Sequence, residues 1–174
     1  YNKAMKQLPI VNSPIQILRV EVWVTNRQGA TTDTRDIVAL MDLGEGKPFG
    51  PWGGSNNDNA FPGNNANSLY GLLTSNPAIR NSSTITNFLN TNGLTPVQDF
   101  EKTYARKLQS SDYIFNPQIG FVSLNQPLQP DEVLGIAFQY AYNGRYYQVG
   151  EFSTDVPPDT TGNTQNVLFL KLLK

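Results

Sequence analysis

The chain contains neither cysteine nor histidine. Without thiols there are no disulfides and no cysteine nucleophile. Without imidazole the Ser-His-Asp and Cys-His arrangements, and the ordinary zinc and iron sites, lose their ligands. Paired carboxylates remain the economical catalyst, with Asp42 and Glu45, or Asp131 and Glu132, as candidates for a glycosidase pair. Adjacent acids at strand ends and turns are ordinarily solvated or capping groups, so the chain reads as a non-enzyme with no cofactor. Charge is scarce too: 16% of residues are charged and the formal net charge is −1. No basic cluster exceeds Arg106-Lys107, which removes the footprint of nucleic-acid binding and of docking to an anionic membrane. There is no apolar run of about eighteen residues and no signal peptide, so this segment neither spans a bilayer as a helix nor carries its own export address.

What is present suffices for a core: 39% hydrophobic content over 174 residues, read as one domain over 1–174. Tyr1 is not an initiator, and the chain stops at Lys174 directly after the apolar run Val167 to Leu173, which reads as a strand with no turn or tail. The expectation is a soluble domain excised from a much larger protein. Zero cysteine is compatible with many compartments, including export from a bacterium. The asparagine runs Asn56-Asn57-Asp58-Asn59 and Asn64-Asn65-Ala66-Asn67 suit an exported, loop-rich surface.

The clearest local signal runs from Asp112 to Phe152 and predicts a β-meander. Val133 to Tyr142 alternates, with Leu134, Ile136, Phe138, Tyr140 and Tyr142 on the face expected to be buried. Asn143-Gly144 then supplies a type I′ turn, which places Tyr142 opposite Arg145, Tyr140 opposite Tyr147 and Phe138 opposite Val149. Phe121 to Leu124 is a shorter strand, followed by a turn from Asn125 to Asp131 whose two prolines keep it out of a ladder. Nearer the start, Ile17 to Thr25 sets Leu18, Val20, Val22 and Val24 against a wet face of Arg19, Glu21, Trp23 and Thr25. Ile37 to Met41 is apolar on both faces and reads as a central strand.

Residues 44–67 are dominated by glycine, proline and asparagine, a long loop of the kind that serves binding or docking. Residues 68–109 read as a helical insertion. Thr95-Pro96-Val97-Gln98 resembles a capping box, and Val97, Phe100, Tyr104 and Leu108 recur at helical spacing, predicting a helix from about Pro96 to Gln109. Shorter helical turns fit Ser68 to Thr74 and Ser82 to Asn90. Strands, helices and strands again predict a mainly β (α+β) domain, an antiparallel β-sandwich of immunoglobulin-like or jelly-roll order with the helical insertion.

The candidate interaction surface is Trp23, Trp52, Phe49, Asn57, Asp58 and Tyr146. Trp23 is in phase with Arg19 and Glu21 and so faces at least partly outward, unless a neighbouring loop covers it. Exposed indoles offer a flat stacking surface for sugars, although Trp52 also reads as the pin that holds the long loop to the body. Tyr146 and Tyr147 point to opposite faces, leaving one exposed. Asn56-Asn57-Asp58-Asn59 has the ligand chemistry of half a calcium loop but lacks the spaced acids and terminal glutamate of an EF-hand.

Several longer strings resemble a known family. They are Arg19 to Arg27 (RVEVWVTNR), Ile37 to Gly44 (IVALMDLG), Tyr113 to Phe121 (YIFNPQIGF), Tyr147 to Phe152 (YQVGEF) and Leu168 to Lys174 (LFLKLLK). Together they are similar to segments of the giant SprA/Sov outer-membrane proteins of the type IX secretion system, while Gly46 to Gln109 matches less distinctly. The resemblance implies a soluble insertion in a very large, gliding-associated β-barrel translocon of a Gram-negative outer membrane, more to the outside than to the periplasm. It implies pore capping, gating or docking, with the rest of the parent barrel, accessory proteins and secreted cargo as partners. It supplies no catalytic residues. The alternative is a carbohydrate-binding or adhesive sandwich module, suggested by the tryptophans and the asparagine-rich loop.

Overall fold

In the computed structural model, residues 13–54, 61–158 and 166–174 are described. Their elements are β1 (Ile15–Thr25), β2 (Thr34–Leu40), α1 (Leu69–Thr74), a 3₁₀ turn (Pro77–Arg80), α2 (Ile85–Thr91), β3 (Phe100–Lys107), β4 (Tyr113–Asn116), β5 (Phe121–Leu124), β6 (Leu134–Tyr142), β7 (Arg145–Val149) and β8 (Leu168–Leu172). The β6–β7 hairpin has the predicted register, with Asn143 and Gly144 at φ of 48° and 75°.

The main sheet closes on itself. β1 pairs antiparallel with β3 at Trp23 to Thr25 and with β6 from Ile15 to Val24, so the order β1-β3-β2-β8-β6 returns to β1 as a five-stranded ring. β2 and β8 run parallel, so the sheet is mixed. The mainly β class holds, but the antiparallel sandwich gives way to a barrel-like closure. The predicted meander is likewise divided: β4 and β5 form a separate two-stranded sheet, and the stretch holding Pro127 and Pro130 carries the chain from it back to the ring.

Three clusters fill this architecture. One draws on every ring strand, through Trp23, Ile37, Ala105, Ala137, Leu168 and Leu170, with Phe152 added. Side chains from all five strands meet in the lumen, which is packed as small barrels are. The close approach explains the small residues of β6: a Cβ on Gly135 would lie 3.0 Å from Leu170 Cδ1. A second cluster joins the outer face of β2, β3 and β8 (Val38, Leu40, Phe100, Phe169) to Leu69, Leu73, Ile79, Ile85 and Leu89 of the helical layer. The third sets Val22, Val24 and Ile136 of β1 and β6 under Tyr113, Val122 and Leu124 of the β4–β5 sheet.

Closure overturns the expected wet face of β1. Arg19, Glu21, Trp23 and Thr25 share the lumen-facing phase, and Trp23 is 1% exposed. A bulge adds to the difference: β6 offers no partner to Leu18 between the Ile17–Tyr140 and Arg19–Gln139 pairs, so the alternation slips there. Leu18 is exposed while Val22 and Val24 are buried.

The helix predicted over Pro96 to Gln109 is a turn and a strand. Asp99 N–H donates to Thr95 O at 2.8 Å, Thr95 N–H donates to the Asp99 carboxylate at 2.7 Å, and Val97 takes a left-handed φ of 72° with its side chain 77% exposed. From Phe100 the chain pairs with β2 at seven successive positions and with β1 at three. Ladder bonds on both sides outweigh the four apolar residues that suggested a helix. The helical insertion therefore shrinks to the short helices between Leu69 and Thr91, and Phe100–Lys107 belongs to the ring.

Candidate functional site

The long loop leaves β2 through Asp42, whose buried carboxylate accepts the Phe49 and Gly50 N–H groups at 2.9 and 2.8 Å. Asn67, also buried, donates its side-chain amide to Asp42 O at 2.7 Å and Glu45 O at 2.8 Å, and its carbonyl accepts Leu69 N–H at 3.0 Å. Between these anchors Trp52 sinks into the cluster under the helices, 9% exposed, and its carbonyl accepts the Ser68 hydroxyl at 2.6 Å. A Cβ on Gly50 would sit 2.4 Å from Trp52 Nε1, so the turn that delivers the indole needs glycine. The second part of the loop is held as well. Phe61 packs on Tyr142 and Tyr147 with centroids 4.4 and 5.5 Å away, and the Tyr140 hydroxyl donates to Pro62 O at 2.6 Å.

The six candidate residues therefore part company. Trp23 and Trp52 are core, so neither offers a stacking face. Phe49 stands 88% exposed on the pinned loop, and Tyr146 is 73% exposed at the hairpin tip while Tyr147 stacks on Tyr140 at 5.1 Å. Asn57 and Asp58, with the rest of the candidate calcium run 56–59, lie outside the described residues. No group of three or more Asp or Glu among the described residues is arranged to hold a metal ion.

Each carboxylate weighed as a catalyst is engaged. Asp42 caps the loop turn and Glu45 pairs with Lys171 at 2.6 Å. Asp131 forms an ion pair with Arg27, and Glu132 accepts Gln129 N–H at 2.7 Å. Arg27, Arg106, Asp112 and Glu132 line a cleft of about 400 Å³ at one end of the ring, where Arg106 meets Asp112 at 3.2 Å.

Sequence reasoning missed a buried polar network. Glu151, 1% exposed, accepts from Arg80 Nη1 and Nη2 at 2.8 and 2.5 Å, from the Tyr70 hydroxyl at 3.0 Å and from Phe169 N–H at 3.0 Å. The network ties α1 and the 3₁₀ turn to β8. Burial and then the Glu151 carboxylate push the Tyr70 phenol up to about 12, while the hydrogen bonds that Arg80 donates to Glu151 hold its guanidinium above its usual range despite burial. Arg35, in the lumen-facing phase of β2, donates to Val156 O at 2.5 Å and Asn166 O at 2.8 Å. Burial, the largest influence, lowers its pKa, and its Nε has no hydrogen-bond partner among the described residues. The only advance signal for such residues was their charge within a charge-poor chain, which marks no position.

The fold and its surface define a small β-barrel domain with a helical layer on one outer face and a hairpin on another. Its sequence matches no family model and no curated protein.

Proposed function

We propose that this chain is a non-catalytic domain of a type IX outer-membrane protein translocon, held on the outer side of the pore and acting in capping, gating or docking. One observation carries the reading. The strings that resemble the SprA/Sov proteins lie on three of the five ring strands, β1, β2 and β8, and on the β4–β5 hairpin, β7 and its exit. The less similar stretch, Gly46 to Gln109, holds the long loop, the helical layer and the ring strand β3. The partners are the rest of the parent barrel, accessory proteins and secreted cargo, met through exposed positions such as Phe49 and Tyr146. The carbohydrate-binding alternative loses its motive at Trp23 and Trp52, since both indoles are buried.

The test is an immunoblot of fractionated source cells with antibody raised to this domain. The expected band runs far above 19.3 kDa in the outer membrane. A small band in the soluble or secreted fraction overturns the proposal. Deleting the long loop would remove Trp52 and Asn67 from the core, so its role is probed with Phe49→Asp in the parent. Unchanged secretion in a stably folded Phe49→Asp protein would count against docking through that loop.

A further inference from the structure

β1 is longer than the ladder beside it. β3 accompanies it only at Trp23 to Thr25, and one more bond follows, from Leu108 N–H to Val22 O at 2.8 Å. From Val20 back to Ile15, no strand among the described residues pairs on that side, although β6 continues on the other side as far as Tyr142. Strand alternation sends the N–H and C=O of Val20 the same way as those of Val22, toward the line along which β3 would continue. The opposite edge of this extension is treated differently. Along β7, Asn64 N–H donates to Gln148 O at 2.7 Å, and the Asn64 side chain exchanges bonds with Gly150 O at 3.1 Å and Gly150 N–H at 2.8 Å. One edge is capped, and no described residue caps the other.

The uncapped edge lies in a trough. On its outer side the hairpin leans against β1: a Cβ on Gly120 would be 3.2 Å from Ile17 Cδ1, and Tyr113 and Val122 pack with Val20 and Val22. On the lumen side, Arg19 Nη2 donates to Thr154 Oγ1 at 2.8 Å, and Ser153 N–H donates to Glu21 Oε2 at 2.9 Å. An apolar groove of about 380 Å³ lies under the same hairpin, over the face that β1 shares with β6, between Ile15, Ile17, Ile119, Phe138 and Tyr140. Ile15 and Leu18 are exposed apolar side chains on the edge strand itself.

We propose that this edge binds an extended segment of a partner polypeptide, added antiparallel to β1 in line with β3. Its apolar side chains face the hairpin wall of the trough, and its polar ones face Arg19. An unpaired edge is a template for another strand, and strand addition takes affinity from backbone bonds and specificity from alternate side-chain pockets. Arg19 meets Asp155 only at 3.5 Å and remains partly exposed, so an acid at a lumen-facing position finds a cation. A second copy of the chain is the poorer occupant. Its own edge is recessed between the same hairpin and turn, and pairing across so few residues falls short of the roughly 1,000 Å² that a stable interface needs. The bulge at Leu18 interrupts the edge, which limits the partner to a short segment. The inference does not depend on the parentage proposed above.

The experiment selects binders to the full chain from a displayed library of random peptides. Binding is then remeasured on Leu18→Lys, which puts an edge-blocking charge at an exposed site, and on Val20→Pro, which removes an outward N–H. The expected result is enrichment of alternating apolar and polar or acidic peptides, protection of the Val20 amide from hydrogen exchange on binding, and affinity lower by about tenfold or more in both variants. Circular dichroism checks folding, and Leu18→Lys alone decides if Val20→Pro unfolds. No enrichment over the starting library, equal binding by the folded variants, or a Val20 amide already protected in the free chain each overturns the proposal. So does a concentration-dependent dimer abolished by Leu18→Lys, which would assign the edge to a second copy.

Discussion

Glu151 is a carboxylate with almost no access to water, and its four donors keep it there. Removing it leaves the Arg80 guanidinium facing an apolar cluster without a counter-charge, and breaking a buried pair in this way costs about 3–5 kcal/mol. Urea denaturation of Glu151→Ala is expected to show a loss of that order. Glu151→Gln, which keeps shape and one acceptor, should lose less. The phenol of Tyr70 adds a pH signature. Its pKa in the folded chain, about 12, lies above the ordinary 10.0, so the folded state holds the proton more tightly than the unfolded one. That contribution to stability is complete below pH 10 and is lost as pH rises through 12. Thermal melts across this window should show a steeper alkaline decline in the wild type than in Tyr70→Phe. None of this was legible beforehand. Glu151 follows a strand in an ordinary Val149-Gly150-Glu151-Phe152 run, and its partners come from a helix, a 3₁₀ turn and β8. Trp23 was misjudged for a related reason: alternation says which residues share a face, not which face is wet.

Elements whose evidence lies within a few residues could be read directly. The β6–β7 hairpin is the clearest case, because Asn143-Gly144 sets both turn and register without outside help. The turn before β3 shows the opposite. Thr95-Pro96-Val97-Gln98 satisfies the local rules for a helix start, yet Asp99, not Gln98, reaches back to cap Thr95 N–H, and the strand that follows is held by partners more than fifty residues earlier. The mismatch leaves a residue in the wrong chemistry. Val97 is β-branched, solvent-facing and left-handed, a conformation that costs an L-residue about 1–2 kcal/mol. Val97→Gly relieves that strain and gives back part of it as unfolded-chain entropy. A net gain of about 0.5–1 kcal/mol is expected, read as a higher melting temperature. A lower one would mean that the valine makes a contact its exposure hides.

For the molecule as a whole, the ring, the helical layer and the hairpin are separate covers over shared strands, and their unity is testable with the two tryptophans. Trp23 reports on the lumen and Trp52 on the layer beneath the helices. Single-tryptophan variants, Trp23→Phe and Trp52→Phe, should unfold with coincident fluorescence and circular dichroism transitions, as expected for one cooperative unit. An earlier Trp52 transition would make the helical layer a unit of its own. The closure itself was the least legible property of the chain. It depends on β1 meeting β6 across more than a hundred residues, and no window of sequence records such a meeting.

The place of β8 in the ring has a kinetic consequence. Leu168–Leu172, the last of the described strands to be synthesised, wedges between β2 and β6, so a chain that emerges amino end first cannot close its barrel until that strand arrives. Until then the edges of β2 and β6 and the side chains of the lumen stand open. Closure must therefore wait until β8 has cleared whatever aperture delivers the chain, and an unclosed intermediate would depend on a holding factor, or on speed, to escape aggregation.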